Sequence, residues 1–520
     1  MFTYSIKKFS SVGGATLVSR ILGFVREAMI AAFLGAGPVA DAFYAAFRFP
    51  NLFRRLFAEG AFNSAFIPLF SKELETGGRD AASEFAGKIL AVLLVVLFTI
   101  SVLALIFMPF LVGTVIAPKF AEDPEKFELT VFLTRIMFPY LAAMSIVAML
   151  SGILNAFRKY FLAALAPVIL NIIFIVVLFS AGMLDFSDQQ IAIAMACGVL
   201  FSGVLQTGLL IYAVRAQNFS ISFKKPKLSP AVKRLLVLAI PTAIAGGITQ
   251  VNLLVGQIIA SAEEGGIAVM NYAERLVQLP LGIIGISIGV VLLPELTRAL
   301  AAKNMDEAKY LQNRSLEFGL GVSIPAAVGL FMLSLPLVAL LYERGAFDRE
   351  TSELTSHVLA ALAIGLPSFV LIKIFQPSFY AREDMRTPMW FAGINAVLNI
   401  IMSLTLFPIY GIAGIAIAGS IAGWINAFLL AVTLYFGNHY RIAPRTLKNI
   451  ALILIANVAM AVVVYFGNQY LGNVTTDAGL LTRLISIGAL IGISGMVYLA
   501  IVVVTGAVPR EDLHAMLRRR

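Results

Sequence analysis

Apolar residues run in long windows from one end of the chain to the other, broken by short stretches of charge, Pro and Gly. A helix rises 1.5 Å per residue, and about 20 apolar residues span the hydrocarbon core of a bilayer. The windows therefore predict membrane-spanning helices near 11–34, 41–71, 85–113, 128–155, 161–182 and 189–214. A polar, basic stretch at 215–234 follows, and eight more windows lie at 235–260, 267–297, 315–342, 352–381, 387–407, 411–436, 448–472 and 479–505. The second window is irregular, because Pro50, Asn51 and the Arg54–Arg55 pair interrupt it. The first has the outline of a signal peptide, with Lys7 and Lys8 ahead of an apolar run. That run is longer than the 7–15 residues of a signal h-region and contains Arg20 and Arg26, so it reads as a retained span.

Composition supports this reading. Of 520 residues, 60% are hydrophobic and 13% charged, about half the charge of a soluble globular protein. Little length remains for an extramembrane domain. Cys197 is the single cysteine, which excludes an intramolecular disulfide. The net charge of +10 would suggest nucleic acid in a soluble protein, but its distribution follows the membrane. With the N-terminus cytoplasmic, that side collects Lys72, Arg79, Lys88, Arg158, Lys159, Arg215, Lys224, Lys225, Lys227, Lys233 and Arg234. It also collects Arg298, Lys303, Lys309, Arg314, Arg382, Arg386, Arg441, Arg445, Lys448 and the tail Arg518–Arg520. The opposite side has Lys119, Lys126, Arg344, Arg349 and Arg483. This is positive-inside asymmetry, and it accounts for most of the charge without a nucleic-acid partner. An even number of spans puts both termini in the cytoplasm.

An internal repeat organises the spans. The segment PYLAAMSIVAMLSGILNAFRKYFLAALAPVILNI begins at Pro139 and PSFVLIKIFQPSFYAREDMRTPMWFAGINAVLNI at Pro367, an ungapped offset of 228 residues. The two share Arg158 with Arg386 and close on Leu-Asn-Ile, and the same offset pairs Ala40, Tyr44 and Ala45 with Ala268, Tyr272 and Ala273. The expected fold is an all-α integral membrane protein of about fourteen transmembrane helices. Two pseudo-symmetric six-helix lobes, 1–214 and 235–436, are joined by a cytoplasmic linker at 215–234. A C-terminal helix pair with a basic tail occupies 437–520.

Charge inside the windows is the main functional signal. Arg20 and Arg26 lie near the middle of the first span, where an arginine costs roughly 2.5–3.5 kcal/mol on insertion scales. Such side chains face protein or a wet cavity. Glu27, Asp41, Arg48, Arg54, Arg55 and Glu59 follow in the first two spans, and Glu274 and Arg275 lie in the eighth. For any one residue a structural ion pair, such as Arg26 with Glu59, is the alternative. For the set, six arginines exceed four carboxylates, and an excess of buried guanidinium calls for an anion. Arginine suits bidentate phosphate contacts, so a phosphorylated substrate is the natural inference.

Other features read as structure. Lys373 snorkels, Asn395 and Asn399 join helices, and Gly419 and Gly423 form a GxxxG that permits close packing. Gly285-Ile-Ser287-Ile-Gly289 matches the nucleophile pattern of hydrolases but sits within a span with no histidine partner. His357, His439 and His514 have no metal-ligand spacing, and no Walker A motif is present. No metal or cofactor is expected. A cation-exporting drug pump would want an acidic cleft, and a membrane scaffold would use the charges only to lock helices.

The stretch SRILGFVREAMIAAFLGAGPVADAFYAAFRFPNLFRRLFAEGAFNSAFIPLF at 19–70 closely resembles the N-terminal signature of the bacterial MurJ/MviN lipid II flippases. NYAERLVQLPLGIIGISIGVVLLPELTR at 271–298 looks like the matching second-lobe signature, and YAREDMRTP at 380–388 extends the likeness. The resemblance implies a MOP exporter-type fold and a transporter rather than an enzyme. It implies flipping of undecaprenyl-diphosphate-linked disaccharide-pentapeptide, lipid II, to the periplasmic leaflet of the inner membrane. Membrane lipids and cell-wall synthesis proteins are the other partners it implies. Motif by motif, the family's cavity arginines fall on Arg20, Arg26, Arg55 and Arg275, and its acidic cavity positions on Asp41 and Glu59. The seventh span has no Asp or Glu and the eleventh offers only Asn395 and Asn399, which speaks against sodium coupling.

Overall fold

The computed structural model describes residues 2–55, 62–475 and 477–507. In chain order its helices are α1 (Phe2–Leu34), α2 (Pro38–Phe53), α3 (Phe62–Ile106), α4 (Met108–Leu111), α5 (Pro124–Met137) and α6 (Tyr140–Ala156). Next come α7 (Tyr160–Met183), α8 (Asp188–Arg215), α9 (Pro230–Ala260), α10 (Gly266–Ala301), α11 (Met305–Met332) and α12 (Ser334–Leu341). The last are α13 (Arg349–Tyr380), α14 (Arg386–Tyr410), α15 (Ile412–Phe436), α16 (Pro444–Leu471) and α17 (Leu480–Val504). Among the described residues there is no β-strand. A lipid-exposed backbone must satisfy its own hydrogen bonds, and helices do so within a single segment.

Among the described residues every apolar window falls largely on helix, and the breaks follow backbone chemistry. Pro38 starts α2 at a position where a missing N–H costs nothing. Gly78, at φ 74°, turns α3 into two helical stretches, so the end of the second window and all but the last residues of the third share one element. Pro139 lies in a short break between α5 and α6, and Pro124–Ala156 as a whole is one candidate span that covers the window at 128–155. Ten helical segments among the described residues are long and apolar enough to cross a membrane. The windows at 11–34, 41–71, 235–260 and 267–297 fall on α1, on α2 with the start of α3, on α9 and on α10. The first, second and fourth of these carry the charges singled out above.

The chain divides into two compact units, Met1–Ala268 and Val269–Arg520. In the first, α1 packs along α7, α6 and α7 pack on α8, α2 packs on α5, and α3 packs on α6. In the second, α13 and α14 pack on α15, α11 packs on α13, and α16 and α17 pair with each other and lean on α11. The 228-residue offset maps α6, α7 and α8 onto the later part of α13, α14 and α15, so the same neighbours recur in each copy. α9 is the offset counterpart of α1, yet it packs against α3 in the first unit. By its contacts α9 therefore belongs to the first unit, which runs to Ala268.

Small residues set a close contact between α13 and α15. A Cβ on Gly365 would lie 2.5 Å from Ser420 Oγ, and one on Gly423 would lie 2.6 Å from Ser368 Oγ. Glycine on one helix meets serine on the other at both levels. Ser420 Oγ donates to the Ala361 carbonyl at 2.7 Å and Trp424 Nε1 to that of Ile364 at 3.0 Å, stitching α15 to α13. Small faces and side-chain hydrogen bonds replace the hydrophobic effect between helices in lipid.

The C-terminal pair is held by a buried carboxylate. Glu317 on α11 accepts from Thr446 Oγ1 at 2.7 Å and Asn449 Nδ2 at 3.1 Å, both on α16, and from Arg314 at 3.2 Å. One turn earlier, Asn313 Oδ1 accepts from the Tyr440 hydroxyl at 2.9 Å and the Ala443 N–H at 3.1 Å. Burial first, and Glu317 second, push the Tyr440 hydroxyl well above its ordinary range, so it stays a donor.

Candidate functional site

Ser19, Gly23 and Arg26 are spaced i, i+4, i+7, which places them on one stripe of α1. That stripe faces Asn171 on α7. Asn171 Nδ2 donates to the Ser19 carbonyl at 2.9 Å, and its amide lies 3.6 Å from where a Cβ on Gly23 would be. Arg26 Nη1 donates to Asn171 Oδ1 at 3.0 Å, while Nη2 pairs with the Glu27 carboxylate. From α2, the Tyr44 hydroxyl donates to the other Glu27 oxygen at 2.6 Å. The Arg26 guanidinium carbon lies 5.4 Å from the centre of the Phe174 ring, one turn along α7 from Asn171. Phe43 and Phe47 of α2 meet that ring edge-on.

Arg26 and Glu27 are 8% and 5% exposed, so three helices enclose an ion pair. Arg26 Nε is buried with no hydrogen-bond partner among the described residues. A buried donor left unmade costs about 1–3 kcal/mol, more when charged. Arg20, about 9 Å earlier along α1, is half-buried and makes no hydrogen bond or ion pair among the described residues.

Asp41 is in a different setting. It is wholly buried on α2 and accepts from Lys126 Nζ at 2.8 Å, from the Gly265 N–H at 2.8 Å and from the Ala268 N–H at 3.0 Å. The Lys126 ammonium also sits 4.1 Å from the centre of the Phe120 ring. Asp41 thus ties α2 to α5 and to the first turn of α10, with both oxygens taken by protein groups.

Arg55 is exposed in the π-helical pair Arg54–Arg55 that follows α2, where Arg54 Nε donates to Asn51 Oδ1 at 2.7 Å. Arg275 and Glu274 are half-buried on α10 in the second unit. Glu59 lies outside the described residues. The ion pair to Arg26 comes from its neighbour Glu27. Ser287 lies within the continuous helix α10, where no nucleophile elbow can form.

Three site residues went unremarked as such in the sequence: Asn171, Tyr44 and Lys126. The repeat held a signal for two of them, since Tyr44 is offset-matched to Tyr272 and Asn171 to Asn399 in the closing Leu-Asn-Ile. Lys126 gave none, because nothing in the sequence brings it to Asp41. Among the described residues no cluster of His, Cys, Asp or Glu could hold a metal ion.

A helical chain that crosses the membrane many times, built from an internal repeat and burying arginine in its first span, is a multi-pass membrane transporter by class. The fold agrees. An inward-facing multidrug MATE transporter of the MOP superfamily superposes with a TM-score of 0.67 over 81% of this chain and 94% of that one, at 17% identity. The chain belongs to the MurJ family, whose model, described as "Lipid II flippase MurJ", matches residues 30–485. A probable lipid II flippase MurJ of Rhizobium meliloti (strain 1021) is 48% identical over 99% of this chain and 96% of its own. The lipid II flippase MurJ of Burkholderia cenocepacia is 33% identical over 87% and 88%. A solved structure titled "Lipid II flippase MurJ, inward closed conformation" superposes with a TM-score of 0.78, covering 94% of this chain and 97% of that one at 28% identity.

Proposed function

We propose that this protein flips lipid II, the undecaprenyl-diphosphate-linked peptidoglycan precursor, from the cytoplasmic to the periplasmic leaflet of the bacterial inner membrane. The observation that carries the reading is the MurJ family match across residues 30–485. Fourteen spans with both termini cytoplasmic follow from the window count and the positive-inside asymmetry.

The chemistry of α1 supplies the headgroup site. Arg20 and Arg26 present guanidinium groups well inside the first span, and Arg26 Nε has a donor to give. A diphosphate oxygen offers charge-assisted hydrogen bonds that a neutral headgroup lacks. Arg55 and Arg275 complete the set that the family resemblance implies. Glu27, Asn171 and Tyr44 hold the Arg26 guanidinium in one orientation, which lowers the entropy lost on binding.

Transport follows as alternating access, in which the anion favours the conformation that lets cationic groups close around it. An inside-negative potential acts on this charge at about 2.3 kcal/mol per elementary charge per 100 mV. That drives the empty cationic site inward and the anion outward.

The test is a leaflet-sidedness assay for lipid II in cells depleted of this protein and complemented with wild type, Arg26→Ala or Arg26→Lys. Wild type restores outward lipid II. Arg26→Ala abolishes it, and Arg26→Lys restores only a small part, because an ammonium cannot reproduce the guanidinium fork. Wild-type sidedness with Arg26→Ala at normal membrane levels would refute the arginine site.

A further inference from the structure

We propose that the segment between α8 and α9 is a strap fixed on α3 that binds anionic phospholipid headgroups at the membrane surface. A positive-inside signal needs only charge, in any conformation. This segment has a definite one. Arg79 donates to the carbonyls of Gln217 and Asn218 at 3.1 and 3.2 Å. Ser83 Oγ donates to the Ser220 carbonyl at 2.6 Å and accepts from the Ser222 N–H at 3.0 Å. Phe219 is buried against Phe70 and Phe157, and Arg79 lies over the Phe157 ring.

Gly87 fixes the height of the strap. A Cβ there would lie 1.7 Å from the Ser222 carbonyl oxygen, so the strap crosses α3 where only glycine fits. Directly after Gly87 and Lys88 comes the apolar run of α3 from Ile89 to Ile106. The crossing therefore lies at the boundary between hydrocarbon and headgroups, on the face that charge asymmetry assigns to the cytoplasm.

Beyond the crossing the strap turns its chemistry outward. Phe223 is 83% exposed and Leu228 64%, flanking Lys224, Lys225 and Lys227. Lys233 and Arg234 follow on the first turn of α9, both exposed, and residues 216–262 contain no Asp or Glu. Glu84 on α3 is the carboxylate that reaches this group. It bonds Lys88 at 2.9 Å and lies 4.0 Å from Lys224, and the Lys88 bond first, with the charge of Lys224 and Lys88, holds its carboxyl below the usual range. Among the described residues Glu84 is the carboxylate within ion-pair reach of this run, and it reaches Lys224 alone of the five cations. Exposed apolar side chains between lysines match a surface that is apolar below and anionic above, where each cation adds to the attraction.

The experiment compares full-length wild type with the variant Lys224→Gln/Lys225→Gln/Lys227→Gln, and with a control, Arg441→Gln/Arg445→Gln/Lys448→Gln, around the start of α16 on the same expected side. Purified protein is titrated with phosphatidylglycerol or phosphatidylcholine in mixed micelles, and retained lipid is read by native mass spectrometry. Wild type and control should retain phosphatidylglycerol in clear preference to phosphatidylcholine. The strap variant should lose that preference by roughly tenfold or more. Phe223→Ser, which keeps every charge, should weaken retention of both lipids. Equal loss in the control, or an unchanged preference in the strap variant, overturns the assignment. Thermal unfolding in phosphatidylcholine alone should be the same for wild type and strap variant, which separates lost binding from lost folding.

Discussion

Arg26 and Glu27 are neighbours in sequence and partners in space, and the pair makes separable predictions about folding and transport. Arg26→Ala removes the cation paired with the Glu27 carboxylate, which is 5% exposed and also accepts from the Tyr44 hydroxyl. Breaking one side of a buried pair costs about 3–5 kcal/mol. Arg26→Ala should therefore lower the midpoint of thermal unfolding in detergent, and Arg26→Ala/Glu27→Ala should recover most of it. Neither variant should restore lipid II flipping, since stability returns without the guanidinium. Recovery of transport in the double variant would show that Arg26 serves only the fold. Asp41 behaves in the opposite sense. Its oxygens are taken by Lys126 and two backbone N–H groups, so Asp41→Asn should cost stability by removing the Lys126 ion pair.

At the level of elements, stability rests on caps and close contacts that a hydropathy profile does not resolve. Asp348 caps α13 by accepting from the Thr351 N–H at 2.9 Å. Those hydrogen bonds from Thr351 hold its carboxyl below the usual range. A depressed folded value means that this stabilisation is present above the ordinary carboxylate range and is lost as pH falls through the folded value. Asp348→Ala should cost about 1 kcal/mol at neutral pH. The cost should shrink toward zero in strong acid, as read by thermal unfolding at a series of pH values. On α13 and α15, Gly365→Leu places a side chain against Ser420 and should block close approach, giving poor yield of folded protein. The sequence GxxxG pointed to Gly423 but not to Gly365, whose partner is a serine on another helix. The window at 128–155 likewise gave no sign of its short break, because Pro139 in an apolar run is compatible with either a kink or a break.

Across the whole molecule, α11 and α16 show how the C-terminal pair is joined to the second unit. Glu317 accepts three hydrogen bonds, two of them from α16, and lies 7% exposed. Glu317→Ala removes the shared acceptor of Thr446 and Asn449 on α16. It should loosen α16 and α17 first, detected as faster hydrogen exchange across Pro444–Val504 than in α13 or α15. Glu317→Gln, which keeps an acceptor, should show a smaller effect.

Helix content, the repeat, charge asymmetry and the buried arginines of the first span are local quantities. Each is set by the run of apolar residues, by a fixed offset or by the cost of charge in lipid, and each can be read without knowing neighbours. Partner choice is not local. Only the tertiary structure decided that Arg26 binds Asn171, that Asp41 is committed to Lys126 and the start of α10, and that α9 packs against α3. Those outcomes depend on which faces meet across 85 to more than 200 residues of chain. Packing between helices in lipid is won by small shape and hydrogen-bond differences, which leave little trace in hydrophobicity.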